Sequence, residues 1–489
     1  MNDIYLQKAK KYKYKYLKLK NDYIGGRNFS SIWSTYFRKN YFEYIGEGGY
    51  GCIISPPFQF NTLSLENILY PPEKIISDKI YKDKKYVGKL LSCDKDSFQT
   101  EINEFLKINF IDPEAKHRSQ LIFAAYYNRK ELTKELELKQ YNDEQSKKLL
   151  KCLNKKKLLK EKNLGDNLPY TIDPGNPCNA NDNYGYIIST RVGTSFDKIE
   201  LNKFKLGTII TILTNLKKSI EDLIVKLYDN GSIHGDIKFQ NMTLDNSFKI
   251  SFIDFGYMNN NSEIIKIVNN SANHQYSDII LFFMKIIDNL SPFFNNIYNM
   301  TSLDLKNNIM SIDKKMTKSE LIELINNNTK KNTILPQLQS STKLSYIDYS
   351  CFFQSLKDDK KYPLIDFYNK CIEPIIKNID IYALSLFIHQ LFFSIWFKTF
   401  NSKYINKTTY KVVNALLINA FYNNIDGPTE LIIYLDGIID SLNGSYKPGT
   451  ITSKIEILRK NKKDFFYYNI NSYLKNQEKN LILYVDNKT

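Results

Sequence analysis

Cysteine is sparse in this 489-residue chain, and where it occurs it is scattered. Cys52, Cys93, Cys152, Cys178, Cys351 and Cys371 include no C-x-x-C pair. That spacing excludes a zinc ribbon and favours free thiols in a reducing compartment over a disulfide scaffold. An apolar leader is lacking too, since lysine and tyrosine alternate near the N-terminus where a secretory signal would carry its apolar core. No long run is free of polar residues. The most membrane-like stretch, 379–397, contains Asp380, His389 and Gln390, which suits a buried core helix better than a membrane span. These absences predict a soluble protein with no membrane partner.

What is present points to a large globular core. Apolar residues make up 43% of the chain and aromatics 14%, and the length exceeds one average domain. The heavy use of Lys, Asn, Ile and Tyr fits an AT-rich genome. A formal net charge of +16 would attract anionic partners. The positive residues are spread along the chain, however, which argues against a dedicated nucleic-acid function.

Chemistry concentrates between Ile233 and Gly256, in IHGDIKFQNMTLDNSFKISFIDFG. The spacing predicts a loop carrying His234, Asp236, Lys238 and Asn241, then a strand over Met242–Leu244. A turn at Asp245–Asn246 follows, with a second strand over 248–253 that ends in Asp254-Phe255-Gly256. Two carboxylates and an amide thus bracket a hairpin that can fix their separation. Phosphoryl transfer needs such a set: one carboxylate to orient a hydroxyl and take its proton, and an amide with a second carboxylate to hold magnesium.

The pattern H-x-D-x-K-x-x-N followed by D-F-G resembles the catalytic loop and metal-binding motif of the eukaryotic-type serine/threonine protein kinases. Other stretches carry the same resemblance. Tyr44–Ile54 fits G-x-G-x-x-G at Gly46, Gly48 and Gly51, with Ile53 as the aliphatic residue beyond. Its flanks read as two strands rather than strand then helix, which disfavours a dinucleotide-binding turn and favours a hairpin covering phosphates. Lys89, between Val87 and Leu90 on a predicted strand, is the candidate phosphate-binding lysine. The distance from Gly51 implies an insertion near Pro56-Pro57 and Pro71-Pro72. The following helix, 97–107, offers Glu101 or Glu104 as its partner, and Glu101 is preferred because Ile102 and Phe105 then face the core.

Farther along, 130–166 reads as a Lys/Glu/Leu-rich helical insertion with a solvated surface, and 206–230 as a long amphipathic helix ended by Asp229-Asn230-Gly231. Asp380-Ile-Tyr-Ala-Leu-Ser-Leu386 resembles the start of the family's C-lobe core helix, whose buried aspartate holds the catalytic-loop backbone. Asp278 is the rival at shorter spacing. At the other end, Tyr5, Ala9, Tyr12, Tyr16, Leu19 and Tyr23 follow an a/d heptad seam halted by Gly25-Gly26. A solvated basic arm and a short self-association helix both satisfy that pattern. This segment resembles the N-termini of many proteins of giant DNA viruses of the mimivirus type.

The resemblance implies an α+β, bilobal protein-kinase-like fold with a β-rich N-lobe, a mainly helical C-lobe and large insertions. Residues 1–26 would form the basic N-terminal helix, 41–193 the N-lobe and 194–489 the C-lobe with an inserted activation segment. It implies a transferase that moves the γ-phosphoryl group of ATP, with Mg2+, to Ser/Thr hydroxyls of protein substrates. Asp236 would be the base, Lys238 would counter charge on the transferring group, and Asn241 with Asp254 would hold the metal. Lys89 paired to Glu101 would hold the nucleotide under the loop at Gly46, Gly48, Gly51 and Ile53. A viral setting implies the infected-cell cytoplasm or the virion. One departure is Gly235, where the family carries arginine. His-Gly-Asp is also the form found in small-molecule kinases similar to aminoglycoside and choline phosphotransferases, which remain an alternative, as does a pseudokinase scaffold.

Overall fold

The structure, a computed structural model, describes residues 42–47, 51–58, 68–70, 80–92, 97–128, 144–155, 183–255, 258–260, 283, 286–294, 296–326, 353, 356–392, 407–422 and 424–460. The N-terminal segment 1–26, Gly48, Gly256 and Asp278 lie outside these residues. The fold is α+β, with antiparallel sheets and a larger share of helix. The chain divides into two compact units, one of Met1–Phe98 with Ile122–Ser189, the other of Gln99–Leu121 with Thr190–Thr489.

The first unit is built on a six-stranded sheet of β1 (Glu43–Glu47), β2 (Gly51–Ser55), β3 (Ile68–Tyr70), β4 (Tyr86–Ser92), β5 (Leu121–Asn128) and β6 (Asn183–Thr190), in the order β1-β2-β4-β6-β5-β3. Alternation decides its faces. Cys52 and Ile54 on β2, and Leu90 on β4, are fully buried, whereas Ile53 and Lys89 between them are only half-buried. Phe123, Ala125, Tyr186 and Ile188 complete the buried face. Each large apolar side chain there contributes about 1.5–3 kcal/mol by leaving water.

Part of the predicted insertion belongs to this core. Helix α2 (Glu144–Lys155), which follows α1 (Ser97–Ile111) in the chain, buries Leu149 and Cys152 against the sheet. Its Gln145 Oε1 accepts the Tyr44 N–H of β1 at 2.9 Å. Cys52 and Cys152 form a disulfide, with Cα atoms 6.1 Å apart. The expectation of free thiols is therefore corrected at these two positions. A separation of 100 residues leaves no local spacing that could announce the bond, whereas packing of α2 on β2 brings the two sulfurs together. Cys371 is free and buried.

The second unit is mainly helical. A continuous run of α3 (Leu206–Ser219), a π turn (Ile220–Ile224) and α4 (Val225–Asp229) buries Ile209, Ile212, Leu213, Leu216, Ile220, Leu223 and Leu227. These residues fall on one stripe at steps of three and four, as an amphipathic helix requires. After it come α5 (Ser302–Met310), α6 (Lys318–Asn326), α7 (Leu364–Phe367), α8 (Glu373–Gln390), α9 (Lys407–Phe421), α10 (Pro428–Leu442) and α11 (Thr450–Arg459). α8 is buried almost throughout, from Ile375 to His389. None of the described helices is long and apolar enough to cross a membrane.

Short strands frame the polar loop of this unit: β7 (Thr194–Ser195), β8 (Ser232–Ile233), β9 (Met242–Leu244), β10 (Ile250–Phe252) and β11 (Asn259–Asn260), with β12 (Lys315–Thr317) and β13 (Lys361–Pro363) paired elsewhere. The chain passes from the first unit to the helical one at 189/190, beside the expected boundary at 193/194, and 99–121 groups with the helical unit. The anchors are polar. Arg118 lies buried on Asp112, whose other oxygen takes Lys226 of α4 at 2.7 Å.

Candidate functional site

The loop between β8 and β9 gathers most of the predicted chemistry of the second unit. Its backbone is fixed first. The Asp380 carboxylate, buried in α8, accepts the His234 N–H at 2.6 Å and the Gly235 N–H at 3.0 Å. Gly235 has φ +79°, a conformation that a residue bearing Cβ adopts only under strain. Burial pushes the Asp380 carboxyl up to about 6, against the two N–H bonds that favour its charged form. Phe239 packs edge-on against Phe387 of α8, with ring centres 4.9 Å apart, so both ends of the loop rest on the same helix.

On this frame Asp236 is a mostly enclosed carboxylate with two donors on one oxygen. Lys238 Nζ lies 2.7 Å from Oδ2, and Asn241 Nδ2 donates to the same atom at 2.7 Å and to the Asp236 carbonyl at 2.9 Å. Burial raises the carboxyl above its ordinary value, Lys238 draws it down, and the nearby charge of Asp254 raises it again. Asp236, Lys238, Asn241 and Asp254 therefore share one electrostatic site. Nδ2 of Asn241 is committed to Asp236, and Oδ1 is the acceptor atom of the amide.

Asp254 comes from the other side of the hairpin. β9 and β10 pair antiparallel, Met242 opposite Phe252 and Leu244 opposite Ile250. The predicted strand over 248–253 is shorter than expected because Asp245 Oδ1 collects the Ser247 and Lys249 N–H groups at 2.8 and 2.9 Å and holds the turn open. Past β10, the Ile253 N–H donates to the Asn241 carbonyl at 2.9 Å. Asp254 follows with φ +61° and an exposed side chain. Phe255 turns inward onto the His234 ring, 4.6 Å between centres. His234 is fully buried, and burial pushes it down to about 4, so the ring is neutral near neutral pH and its Nδ1 accepts the Asp236 N–H at 3.3 Å. No group of three or more His, Cys, Asp or Glu suited to a metal occurs among the described residues. Any cation here would rest on one amide oxygen, one carboxylate and ligands from elsewhere, a sparse set of the kind that suits magnesium bound through substrate phosphates.

In the first unit, the Gly-rich segment forms the expected hairpin. Glu43 pairs with Ser55, a bulge falls between Tyr44 and Gly46, and Gly46 lies opposite Ile53. Gly51 packs so closely on β4 that a Cβ would stand 2.2 Å from the Leu90 carbonyl oxygen. Ile53 and Lys89 are direct partners across β2 and β4, so both side chains leave the same face, opposite that of Cys52, Ile54 and Leu90. Gly46, Gly51, Ile53 and Lys89 are thereby brought together. Lys89 belongs to this unit and Glu101 to the other. Of the two glutamates on α1, Glu104 is buried at 6% exposure, while Glu101 and Phe105 are half-buried. The helix phase carried that signal, since Glu104 stands one turn before the buried Ile108.

No protein-family model matches this chain, and no curated protein matches it either.

Proposed function

We propose that the protein transfers the γ-phosphoryl group of ATP to a hydroxyl, with Ser/Thr side chains of proteins as the acceptor class. The observation that carries this reading is the Asp236 site. A largely enclosed carboxylate is held by a lysine and an amide, and a second, exposed carboxylate acts on it electrostatically. Asp236 would accept the proton of the attacking hydroxyl, and burial raises its affinity for that proton. Lys238 would exchange its bond to Asp236 for the charge that builds on the transferring group.

Magnesium fits the donors left over: Asn241 Oδ1 and the Asp254 carboxylate are oxygen ligands, the type this cation takes. When bound, it would neutralise charge on the phosphates. Gly46, Gly51, Ile53 and Lys89 supply the close-approaching hairpin and the cation that a nucleotide phosphate group would need.

The test is turnover of γ-labelled MgATP by the full chain, with Asp236→Asn alongside and both a Ser/Thr-rich protein and small hydroxyl compounds as acceptors. Label on protein that falls by roughly 100-fold or more in the variant supports the reading. Label confined to a small molecule assigns the enzyme to the small-molecule phosphotransferases. Nucleotide binding with no label on any acceptor leaves a scaffold.

A further inference from the structure

β10 is gripped on both of its edges. One edge pairs with β9. On the other, the Phe252 N–H donates to the His117 carbonyl at 2.8 Å, and Arg118 forms a parallel bridge to Phe252. The His117 ring adds a third tie, with Nδ1 2.8 Å from the Ile250 carbonyl oxygen. Its Nε2 lies 3.0 Å from Asp222 Oδ2 on the π turn after α3. Both ring nitrogens thus lie within hydrogen-bond distance of an oxygen, one on β10 and one on the π turn.

The neighbouring residue is held as firmly. Arg118 donates to Asp112 Oδ2 at 3.2 Å, to Asn109 Oδ1 at 2.8 Å and to the Ser119 carbonyl at 2.9 Å. Burying a guanidinium and an imidazole for packing alone would be costly, since apolar residues of similar volume do that as well or better. Directed polar contacts do something that packing does not, which is to fix register.

The register they fix is that of the strand leading into Asp254. Ile253 follows β10 at once and is bonded to the Asn241 carbonyl, and Asp254 comes next. We propose that His117, together with Asp222, is a positioning pair for Asp254. It sets where that carboxylate stands beside Asn241 and so tunes the affinity of the site for its divalent cation. The proposal rests on the reading of Asp254 as a metal-holding carboxylate. It adds His117, more than 130 positions upstream of Asp254, and Asp222 on the π turn, neither of which the catalytic motif names.

The test uses the full chain with His117→Ala, Asp222→Asn and the conservative His117→Gln, which keeps a donor toward the Ile250 carbonyl. Two quantities are read: the Mg2+ concentration giving half-maximal phosphoryl transfer, and the hydrogen-exchange rates of the Phe252 and Ile253 amides. Loss of a residue that orients a ligand typically weakens metal binding by about ten-fold or more. The expected result is a half-saturating Mg2+ raised by about that factor in Asp222→Asn and His117→Ala, with the acceptor KM unchanged. The two amides should exchange faster, and His117→Gln should recover part of both effects.

A merely structural role would lower the melting temperature and the active fraction without moving half-saturation. A folded Asp222→Asn protein with unaltered Mg2+ dependence and unaltered exchange overturns the proposal. Should His117→Ala fail to fold, Asp222→Asn decides, because the Asp222 side chain is partly exposed. A wild-type chain with no divalent-dependent turnover would sink the metal reading and this proposal with it. The exchange rates alone would then still report whether His117 grips β10.

Discussion

The Asp380 carboxylate accepts the amide N–H of Gly235 at 3.0 Å, and Gly235 makes that bond while held at φ +79°. One residue in a helix buried in the core thereby determines the path of the loop that carries Asp236. The same relationship accounts for the glycine. A side chain here would be forced into the left-handed region, so the His-Gly-Asp sequence satisfies a backbone need as well as any chemical one.

Gly235→Ala should therefore lose about 1–2 kcal/mol of stability through left-handed strain, read as a lower urea midpoint, with a larger fall in kcat than rise in acceptor KM. Asp380→Ala removes the acceptor of two enclosed N–H groups and should cost about 2–6 kcal/mol, at about 1–3 kcal/mol for each group left unpaired. A Gly235→Ala midpoint equal to wild type would contradict the strain argument.

Lys238 lowers the Asp236 carboxyl while burial raises it. In Lys238→Met the Asn241 bond still draws the carboxyl down but the influence of the lysine is gone, so the carboxyl takes up its proton at higher pH. The acid limb of the kcat/KM profile should move upward in pH relative to wild type, on top of a general loss of rate. A limb that stays in place would assign the acid limb to another group.

His389 is buried in α8 with Nε2 2.8 Å from Asn414 Oδ1, and burial pushes it down to about 4. Its folded value lies below its ordinary value of 6.5, so the unfolded chain binds the extra proton between them. The stability it protects is fully present above pH 6.5 and is lost as pH falls toward 4, by at most roughly 3 kcal/mol at about 1.4 kcal/mol per pKa unit. Asp380, raised to about 6, acts in the opposite sense between pH 4 and 6. His389→Gln should flatten the pH dependence of the urea midpoint between 6.5 and 4, and an unchanged slope would refute the assignment.

The Cys52–Cys152 bond predicts a response to reductant confined to the first unit. Under a dithiol, or in Cys152→Ser, stability of that unit should fall by about 2–4 kcal/mol, while hydrogen exchange in α9 and α10 stays as it was. Alkylation before and after reduction, followed by mass analysis of the peptides, reads the bond directly. Alkylation of Cys52 in the unreduced protein would show that no such bond forms.

How much of this was legible in the sequence depended on how local each signal was. The loop and hairpin of 234–254 are legible because turn chemistry and alternation act over a few residues, and the Gly-rich hairpin for the same reason. Asp380 was legible only through the resemblance of Asp380–Leu386 to a family motif, not through any local physical signal. The Cys52–Cys152 pair and the allegiance of 99–121 were not, since both are decided by packing between distant stretches. The burial of Glu104 was an intermediate case: the helix phase held the information, but a core-facing Phe105 was expected where that ring is half-buried.

The helical unit draws on two stretches of chain separated by Ile122–Ser189 of the first unit. During synthesis, His117 and Arg118 leave the ribosome well before Phe252 and Lys226 exist to receive them, so the segment must wait with a buried-type arginine exposed to water. A fragment starting at Thr190 would never receive it at all. Its β10 would keep a bare outer edge, and Lys226 would lack the carboxylate of Asp112. The unit can be cut out of this protein only by joining the 99–121 stretch to Thr190 across the segment removed.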